Sequence, residues 1–232
     1  MFTALCKDCY AKTTFKEAVM SRILPGETDL YAITDAGLSQ GRSLEEVAGA
    51  LLAAGIRILQ YREKKLKDGA MLEECRLLRR LTAEFNACFI VDDHVDLALL
   101  AQADGVHVGQ EDLPVPDVRA LVGSSMLIGL STHEPAQALA AHHAGADYIG
   151  VGPIFATRTK ADVVAPVGHA YLDWVVGNLD IPFVAIGGIK RHNIGTVARH
   201  GARCCALVSE FVAAPDIGVR VEEVRRAMHA GL

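Results

Sequence analysis

The sequence contains no long apolar run and no cluster of basic residues. No stretch reaches the roughly 18 apolar residues that a membrane-spanning helix needs, and the N-terminus lacks the apolar core of a secretory signal. Lys and Arg are scattered through a chain whose net charge is −5, so nothing indicates nucleic-acid binding. We therefore expect neither a membrane nor a nucleic acid as partner, and we expect a cytoplasmic location.

The cysteines also lack the regular spacing of a disulfide framework. The chain has six of them, and their arrangement favours a reducing cytosol. Cys6 and Cys9 form a C-x-x-C pair that resembles half of a zinc site, but no second pair follows at suitable spacing. Cys204 and Cys205 lie in an apolar run and are typical of small core residues.

The chain does contain a regular alternation. From residue 29, eight short apolar runs rich in Val and Ile alternate with longer amphipathic segments, as buried parallel strands connected by helices do. Eight such pairs predict a closed (β/α)8 TIM barrel over residues 29–232, an α/β single domain, with residues 1–28 as a short N-terminal extension that includes one helix. The predicted strands are 30–34, 56–61, 88–92, 105–108, 126–131, 147–151, 182–187 and 203–208.

The main alternative to the barrel is an open, doubly wound sheet. That fold usually carries a glycine-rich phosphate turn, G-x-G-x-x-G, after its first strand. Here the first run leads into TDAG (34–37) instead, which favours the barrel. Local signals mark two of the helices. Ser43 and Glu46 form a capping-box pattern at the start of one, and the Ala-rich segment 134–144 is closed by Gly145.

Cationic side chains follow the second run, at a position where the loops of a barrel form the active site. Strand alternation places Gln60, Arg62 and Lys64 on one side and Tyr61 and Glu63 on the other. Two cations and an amide suit a diphosphate, because Arg can clamp two oxygens and Lys acts as a point charge. The alternative is a surface salt-bridge cluster with Glu63.

Carboxylates end the third run and follow the fourth. Asp92 and Asp93 close the third run, and Asp112 comes shortly after His107 in the fourth. Carboxylates on adjacent strand ends suit Mg²⁺, which takes oxygen ligands and retains water. A single acidic strand end is more often a helix cap, but Asp93 and Asp112 together favour a metal. Asp96 fits the first turn of the next helix, where the helix dipole favours negative charge.

Hydroxyl groups and a long loop follow the fifth and sixth runs. Ser131 and Thr132 can contact a ligand or cap the next helix, and His133 can bind substrate or form a hydrogen bond at the barrel mouth. The loop from 152 to 168 is long for a barrel and typical of a lid. Its Thr157, Thr159 and Lys160 offer two hydroxyl groups and a cation, which suit phosphate.

Glycines and a serine end the last two runs. Gly187 and Gly188 precede a helix that carries Asn193, and Ser209 follows Val208 at the end of the eighth run. Barrels often bind phosphate between these two loops through backbone N–H groups at a helix start. The strand ends together predict two anion sites at one barrel mouth, one for a Mg-diphosphate and one for a monophosphate.

At these strand ends the sequence closely resembles the thiamine-phosphate synthase family. The segments that carry the resemblance occur in family order, and those containing GQED and GPIFATRTK are the most specific. They are QYREK (60–64), DDHVDLAL (92–99), ADGVHVGQEDLP (103–114), IGLSTH (128–133), GADYIGVGPIFATRTK (145–160), APVG (165–168), FVAIGGI (183–189) and ALVSEF (206–211).

The resemblance implies a transferase reaction. The family joins 4-amino-2-methyl-5-(diphosphomethyl)pyrimidine to 4-methyl-5-(2-phosphoethyl)thiazole, giving thiamine phosphate and diphosphate by an SN1-like displacement that uses Mg²⁺. It also implies catalytic roles for Arg62, Lys64, Ser131 and Lys160, and it allows a homo-oligomer. By matching position, the implied metal ligands are Asp93 and Asp112, and the implied substrate-binding residues are Gln60, Arg62, Lys64, Asp92, His107, Ser131, Thr157, Thr159, Lys160, Gly188, Val208 and Ser209.

One residue departs from the family pattern. The family usually has Asn immediately before the metal-binding Asp, whereas this chain has Asp92. An ionised Asp cannot donate a hydrogen bond to diphosphate, so Asp92 is a third ligand, a protonated acid or a residue that lowers activity. The alternatives to the synthase are a thiazole tautomerase on the same barrel, which generally lacks the QED and T-x-T-K segments, and a non-catalytic barrel that binds thiamine precursors.

Overall fold

The computed structural model describes residues 23–157 and 164–232. Within these ranges, eight parallel strands pair in chain order, and the last pairs with the first, so that the sheet closes into a barrel. The strands are β1 (Leu30–Ile33), β2 (Ile58–Tyr61), β3 (Cys88–Asp92), β4 (Gly105–Val108), β5 (Leu127–Thr132), β6 (Tyr148–Val151), β7 (Phe183–Ile186) and β8 (Cys205–Leu207). The predicted TIM barrel is confirmed, and each strand end lies within three residues of its predicted position.

Helices follow the strands and cover the outside of the barrel. They are α1 (Leu44–Ala53), α2 (Asp68–Glu84), α3 (Val95–Leu100), α4 (Val115–Val122), α5 (Pro135–His143), α6 (Gly168–Asn178), α7 (Ile194–Arg199), α8 (Ser209–Val212) and α9 (Ile217–His229). The predicted strict alternation is wrong at two places. A 3₁₀ turn, Ala36–Leu38, precedes α1, and the four-residue α8 lies between β8 and α9.

Local sequence explains where the helices begin. Ser43 accepts a hydrogen bond from the Glu46 backbone N–H at 3.2 Å, while the Glu46 carboxylate accepts one from the Ser43 N–H at 2.8 Å. The predicted capping box is therefore confirmed. The predicted helix over 134–144 corresponds to α5, and Asp96 lies in the first turn of α3 as expected.

The strands separate two apolar layers. Side chains that point outward pack against the helices and form the larger core, whereas inward side chains fill the barrel with residues such as Ile58, Ile90 and Leu127. Cys204 and Cys205 are fully buried free thiols, as expected of core residues. Among the described residues, no helix is both long and apolar enough to cross a membrane.

Two predictions concern residues that the structure does not describe. The C-x-x-C pair Cys6 and Cys9 lies in residues 1–22, which also make up most of the extension (1–28) in which one helix is expected. The division into an extension (1–28) and a barrel (29–232) stays a prediction.

Candidate active site

Cations and carboxylates meet at the carboxyl ends of β2 and β3. Arg62 Nε lies 3.6 Å from Asp92 Oδ2, and Arg62 Nη1 lies 3.7 Å from Asp35 Oδ2 beyond β1. Lys64 Nζ lies 3.8 Å from the same oxygen of Asp92 and contacts the Asp93 carboxylate directly. Asp92 is only 3% exposed, so low local polarity strengthens these attractions.

Arg62 and Lys64 do not form the alternative arrangement, a surface salt-bridge cluster with Glu63. The Glu63 carboxylate accepts hydrogen bonds from the backbone N–H groups of Lys64 and Lys65, at 2.7 and 2.6 Å. Tyr61 points outward to α2, where its hydroxyl donates to Glu74 at 2.6 Å. Strand alternation therefore directs Arg62 and Lys64 towards the carboxylates of the barrel mouth, as predicted.

Asp93 has a backbone conformation that is unusual for a residue with a side chain. Its φ is +62°, in the left-handed region, and its N–H donates to the His107 carbonyl at 2.8 Å. Such a conformation costs of order 1 kcal/mol and persists where the surroundings impose it, often at functional sites. Here it turns the chain sharply between β3 and α3, and the Asp93 carboxylate faces Lys64.

Asp112 lies in the loop after β4. Its carboxylate accepts a hydrogen bond from the Gly109 N–H at 2.6 Å, and the side chain is exposed. A cavity of about 330 Å³ between α3 and α4 is lined by Asp93 and by Leu113, the residue after Asp112, but Asp112 itself does not line it. The two predicted metal ligands thus lie in the loops that follow the neighbouring strands β3 and β4.

The donor set at these loops fits Mg²⁺ better than a transition metal. No group of three or more His, Cys, Asp or Glu side chains among the described residues is arranged to hold a metal ion. Mg²⁺ does not need such a cage, because it binds through one or two carboxylates, several waters and substrate phosphates. Asp93 and Asp112 stay the predicted ligands of such an ion.

A second group of predicted residues lies deeper, inside the barrel. Gln60 is 3% exposed and donates to the Tyr31 hydroxyl at 3.1 Å. His107 lies 3.1 Å from the Tyr148 hydroxyl through Nδ1 and 3.0 Å from Ser131 Oγ through Nε2. Gln60 lies on the same side of β2 as Arg62, as predicted, but deeper in the barrel. These polar side chains form the floor beneath the cations.

Glycines shape the far side of the mouth. Gly187 and Gly188 have φ of +97° and +64°, and a Cβ on Gly188 would lie 2.6 Å from the Ala156 carbonyl oxygen. The Phe155 N–H donates to the Gly187 carbonyl at 2.9 Å. The glycines therefore allow the loop after β6 to pack against the loop after β7, with Phe155 and Ala156 against Gly188 and Thr157 next in the sequence.

The start of α8 completes this side. Val208 precedes the helix, and the Ser209 hydroxyl accepts a hydrogen bond from Lys190 Nζ at 2.8 Å. Asn193 fixes the turn that follows β7, since its side-chain amide donates a hydrogen bond to the Gly188 carbonyl at 3.1 Å. A short helix after β8 beside a glycine turn after β7 is the usual phosphate-binding arrangement of TIM barrels.

The remaining predicted residues have mixed outcomes. Thr132 caps no helix, because its hydroxyl donates to the Gly150 carbonyl at 2.8 Å and accepts from Tyr171 at 2.6 Å. Ser131 faces His107 instead of α5, so the capping alternative is wrong for both hydroxyls. His133 forms a hydrogen bond at the barrel mouth, with the Gly152 carbonyl at 2.6 Å. Thr159 and Lys160 lie outside the described residues.

Reading the strand ends missed four residues of this site. Tyr31 and Tyr148 lie in the middle of the barrel, Asp35 pairs with Arg62, and Lys190 contacts Ser209. Inward alternation along β1 and β6 is the signal that marks the two tyrosines, since each occupies an inward position of its strand.

Comparison with known proteins decides the family. A profile described as thiamine monophosphate synthase matches residues 30–211. The chain belongs to the thiamine monophosphate synthase family. The thiamine-phosphate synthase of Lawsonia intracellularis is 59% identical over 212 residues, which cover 90% of this chain and 98% of the relative. That of Pelotomaculum thermopropionicum is 57% identical, covering 86% of this chain and 91% of the relative.

Solved structures agree with the family. The thiamine phosphate pyrophosphorylase from Pyrococcus furiosus superposes with a TM-score of 0.80 at 36% identity, covering 88% of this chain and 96% of that one. A 3-hexulose-6-phosphate synthase superposes with a TM-score of 0.62 at 17% identity, which shows the shared fold alone. The resemblance stated from the strand-end motifs is confirmed, and with it the prediction of a thiamine-phosphate synthase, a transferase.

Proposed function

We propose that the protein joins 4-amino-2-methyl-5-(diphosphomethyl)pyrimidine to 4-methyl-5-(2-phosphoethyl)thiazole, releasing diphosphate and thiamine phosphate. The observation that carries the proposal is the cluster of Arg62, Lys64, Asp92 and Asp93 at one edge of a barrel of this family. Fixed cations at this edge suit a diphosphate that gains negative charge as it leaves.

The pyrimidine diphosphate occupies the side of the mouth formed by β2 to β5. Arg62 and Lys64 bind its diphosphate oxygens, and Ser131 adds a hydroxyl from β5. Gln60 and His107 lie below them, buried to 3% and 8% exposure, and bound the space in which the pyrimidine ring lies. Lys160, from the loop after β6, contributes a further cation to the diphosphate.

Mg²⁺ is the expected cofactor, held by Asp93 and Asp112. When bound, the ion supplies positive charge that stabilises the leaving diphosphate. The carboxylates offer the ion hard oxygen ligands. The Lys64 ammonium, which contacts the Asp93 carboxylate, shifts from that carboxylate to the substrate diphosphate. Asp93 is pre-oriented for this task by its left-handed backbone conformation.

The thiazole phosphate occupies the opposite side. Gly188, Val208 and Ser209 bind its phosphate with backbone N–H groups and a hydroxyl, and Thr157 and Thr159 add hydroxyl groups from the loop after β6. Lys190, 2.8 Å from Ser209, supplies positive charge nearby. The thiazole nitrogen then faces the pyrimidine across the mouth.

The reaction proceeds by loss of diphosphate before attack. The carbon–oxygen bond breaks with its electron pair leaving on diphosphate, and the aminopyrimidine ring stabilises the resulting methylene cation. The thiazole nitrogen donates its electron pair to that carbon and forms the new bond. Water would capture the cation, so the loop after β6 has to exclude solvent during the reaction.

Two further features of the proposal are less specific. The substrates are small phosphorylated molecules, and a homo-oligomer is consistent with the family resemblance. A cytoplasmic location is supported by the four described cysteines, Cys75, Cys88, Cys204 and Cys205, which are all free thiols.

The test is incubation of the purified protein with both precursors and Mg²⁺, followed by chromatography. Formation of thiamine phosphate and diphosphate in equal amounts supports the proposal, and omission of either precursor is the control. An isomerised thiazole carboxylate phosphate would indicate a tautomerase, and binding of precursors without turnover would indicate a non-catalytic barrel. Either result would overturn the proposal.

A further inference from the structure

A continuous chain of hydrogen bonds crosses the inside of the barrel. Gln60 Nε2 lies 3.1 Å from the Tyr31 hydroxyl, which lies 3.1 Å from the Tyr148 hydroxyl. The Tyr148 hydroxyl is 3.1 Å from His107 Nδ1, and His107 Nε2 is 3.0 Å from Ser131 Oγ. The chain thus links β2 to β5 through residues of β1, β6 and β4, and it ends on a hydroxyl at the barrel mouth.

We propose that this chain is directional: it fixes neutral His107 as the Nε2–H tautomer and thereby makes the Ser131 hydroxyl a hydrogen-bond donor to an anion at the mouth. Tyr31 and Tyr148 are then positioning residues, since they act on the ligand only through His107 and Ser131. The identity of that anion as the substrate diphosphate rests on the proposed function, but the tautomer does not.

The direction follows from the first member of the chain. An amide nitrogen only donates, so Gln60 directs a proton to the Tyr31 oxygen. Among the described residues the Tyr31 hydroxyl has one other partner, Tyr148, so its buried proton reaches an acceptor only when it is directed to the Tyr148 oxygen. The proton of Tyr148 is then directed to His107 Nδ1. A nitrogen that accepts carries no proton, so the neutral ring holds its proton on Nε2 and donates it to Ser131 Oγ.

Burial keeps the two phenols able to donate. Tyr31 and Tyr148 are each 1% exposed, and burial raises the pKa of both hydroxyls above their ordinary value because it disfavours the charged phenolate. For Tyr31 the neighbouring Tyr148 raises the pKa further. Both tyrosines therefore carry their proton at neutral pH.

The barrel also leaves space for the central hydrogen bond. Gly129 of β5 pairs in register with His107 on one side and with Tyr148 on the other. A Cβ on Gly129 would lie 2.4 Å from His107 Nδ1 and 2.5 Å from the Tyr148 hydroxyl oxygen. Any side chain at this position of β5 would displace both groups, so the chain of hydrogen bonds requires a glycine there.

The direction matters for what Ser131 offers to a ligand. A serine that accepts from His107 has its own proton available for a diphosphate oxygen. The opposite tautomer would make Ser131 donate to His107 and present only lone pairs to the anion, which repel it. A hydrogen bond to a charged group is worth roughly 10- to 100-fold in affinity.

The first experiment reads the tautomer directly, in the ligand-free protein. Nitrogen-15 NMR of labelled histidine, assigned with His107→Gln, should show protonated Nε2 and unprotonated Nδ1 for neutral His107. In Tyr148→Phe the Nδ1 resonance should shift, because its donor is lost. Tyr171→Phe is the matched control: its hydroxyl donates to Thr132 outside the chain, so the His107 resonances should not move. A protonated Nδ1 in the wild-type protein would overturn the proposal.

The second experiment measures the consequence for the ligand. Tyr148→Phe should lower kcat/KM for the pyrimidine diphosphate by roughly tenfold or more, whereas Tyr171→Phe should leave it unchanged. His107→Gln, which can place an amide N–H near the position of Nε2, should retain more activity than His107→Asn, which cannot. Equal loss in the two histidine variants, or wild-type kinetics in a folded Tyr148→Phe protein, would refute the positioning role. If the wild-type protein forms no thiamine phosphate, the proposed function fails while the NMR result still decides the tautomer.

Discussion

Replacing Asp92 by Asn tests the most unusual residue of the site. The carboxylate is 3% exposed and lies within 4 Å of two cations, Arg62 and Lys64, which the proposed function assigns to the diphosphate. In the ligand-free protein Asp92 therefore competes with the substrate for both cations. We expect Asp92→Asn to retain or raise activity, because an amide of the same shape releases them and can also donate a hydrogen bond.

The magnitude follows from the distances. Two unit charges 3.6 Å apart, as for Arg62 and Asp92, attract by about 4 to 5 kcal/mol at an effective dielectric constant near 20. Much of this is offset, because Arg62 keeps Asp35 at 3.7 Å and Lys64 keeps Asp93. We expect a net loss of about 1 to 3 kcal/mol in the free energy of unfolding, which lowers the melting temperature by roughly 2 to 12 °C. If about 1.4 kcal/mol of the released attraction reaches the substrate, its KM falls about tenfold.

The assay combines both quantities. Thermal unfolding gives the melting temperature, and steady-state formation of thiamine phosphate gives KM for the pyrimidine diphosphate and the Mg²⁺ concentration at half-maximal rate. Asp35→Asn is the matched control, since it frees Arg62 but not Lys64 and should lower KM less. If kcat instead falls by two orders of magnitude or more and the Mg²⁺ requirement rises, the competition is refuted and Asp92 is a metal ligand.

Three further perturbations test other parts of the site. Arg62→Lys should lower kcat/KM about tenfold, because a single ammonium cannot replace a two-pronged guanidinium, and wild-type steady-state kinetics would count against a diphosphate clamp. Asp112→Ala should lower the rate on the order of 100-fold and raise the Mg²⁺ concentration that the reaction needs. The exposed neighbour Glu111 provides the control variant, Glu111→Ala. An unchanged Mg²⁺ titration would exclude Asp112 as a ligand. His169 in α6 stacks on His200, the residue after α7, with their ring centroids 4.2 Å apart. Burial first and His200 second lower the pKa of His169, so its contribution to stability is present above the unfolded pKa near 6.5 and is lost as the pH falls below it. His169→Gln should therefore reduce the difference between urea midpoints at pH 7.5 and 5.5, and an equal difference in both proteins would contradict this assignment.

The barrel was predictable because its signals are local. A buried parallel strand reads as a short Val- and Ile-rich run, and eight such runs leave few alternatives to a closed sheet. The same periodicity placed Arg62 and Lys64 on one face and Tyr61 on the other. The short α8 (Ser209–Val212) escaped prediction, since four residues between a strand and a longer helix produce no helical period of their own.

The candidate site was predictable only in part, because some of its contacts join residues that lie far apart in the sequence. Reading strand ends finds residues that share a rim, such as Arg62 and Asp93, because parallel strands deliver their carboxyl ends to one edge. It does not find pairs that meet inside the barrel. Tyr31 and Tyr148 are 117 positions apart, on strands that are not neighbours in the sheet, and their contact depends on the tilt and stagger with which the barrel closes.

The same distinction separates what each part of the site can tolerate. The cations at the mouth follow the end of β2, and although Asp92 is buried, the Lys64 side chain and its partner Asp93 are within reach of water, at 43% and 24% exposure. The hydrogen-bond chain beneath them is buried, so a group that loses its partner there has no water to replace it, and the loss of one hydroxyl disturbs the next member. Each substitution at the rim should therefore change substrate affinity and Mg²⁺ dependence by a limited amount. Gly129→Ala, which pushes His107 away from Tyr148, should instead disturb every hydrogen bond of the buried chain at once.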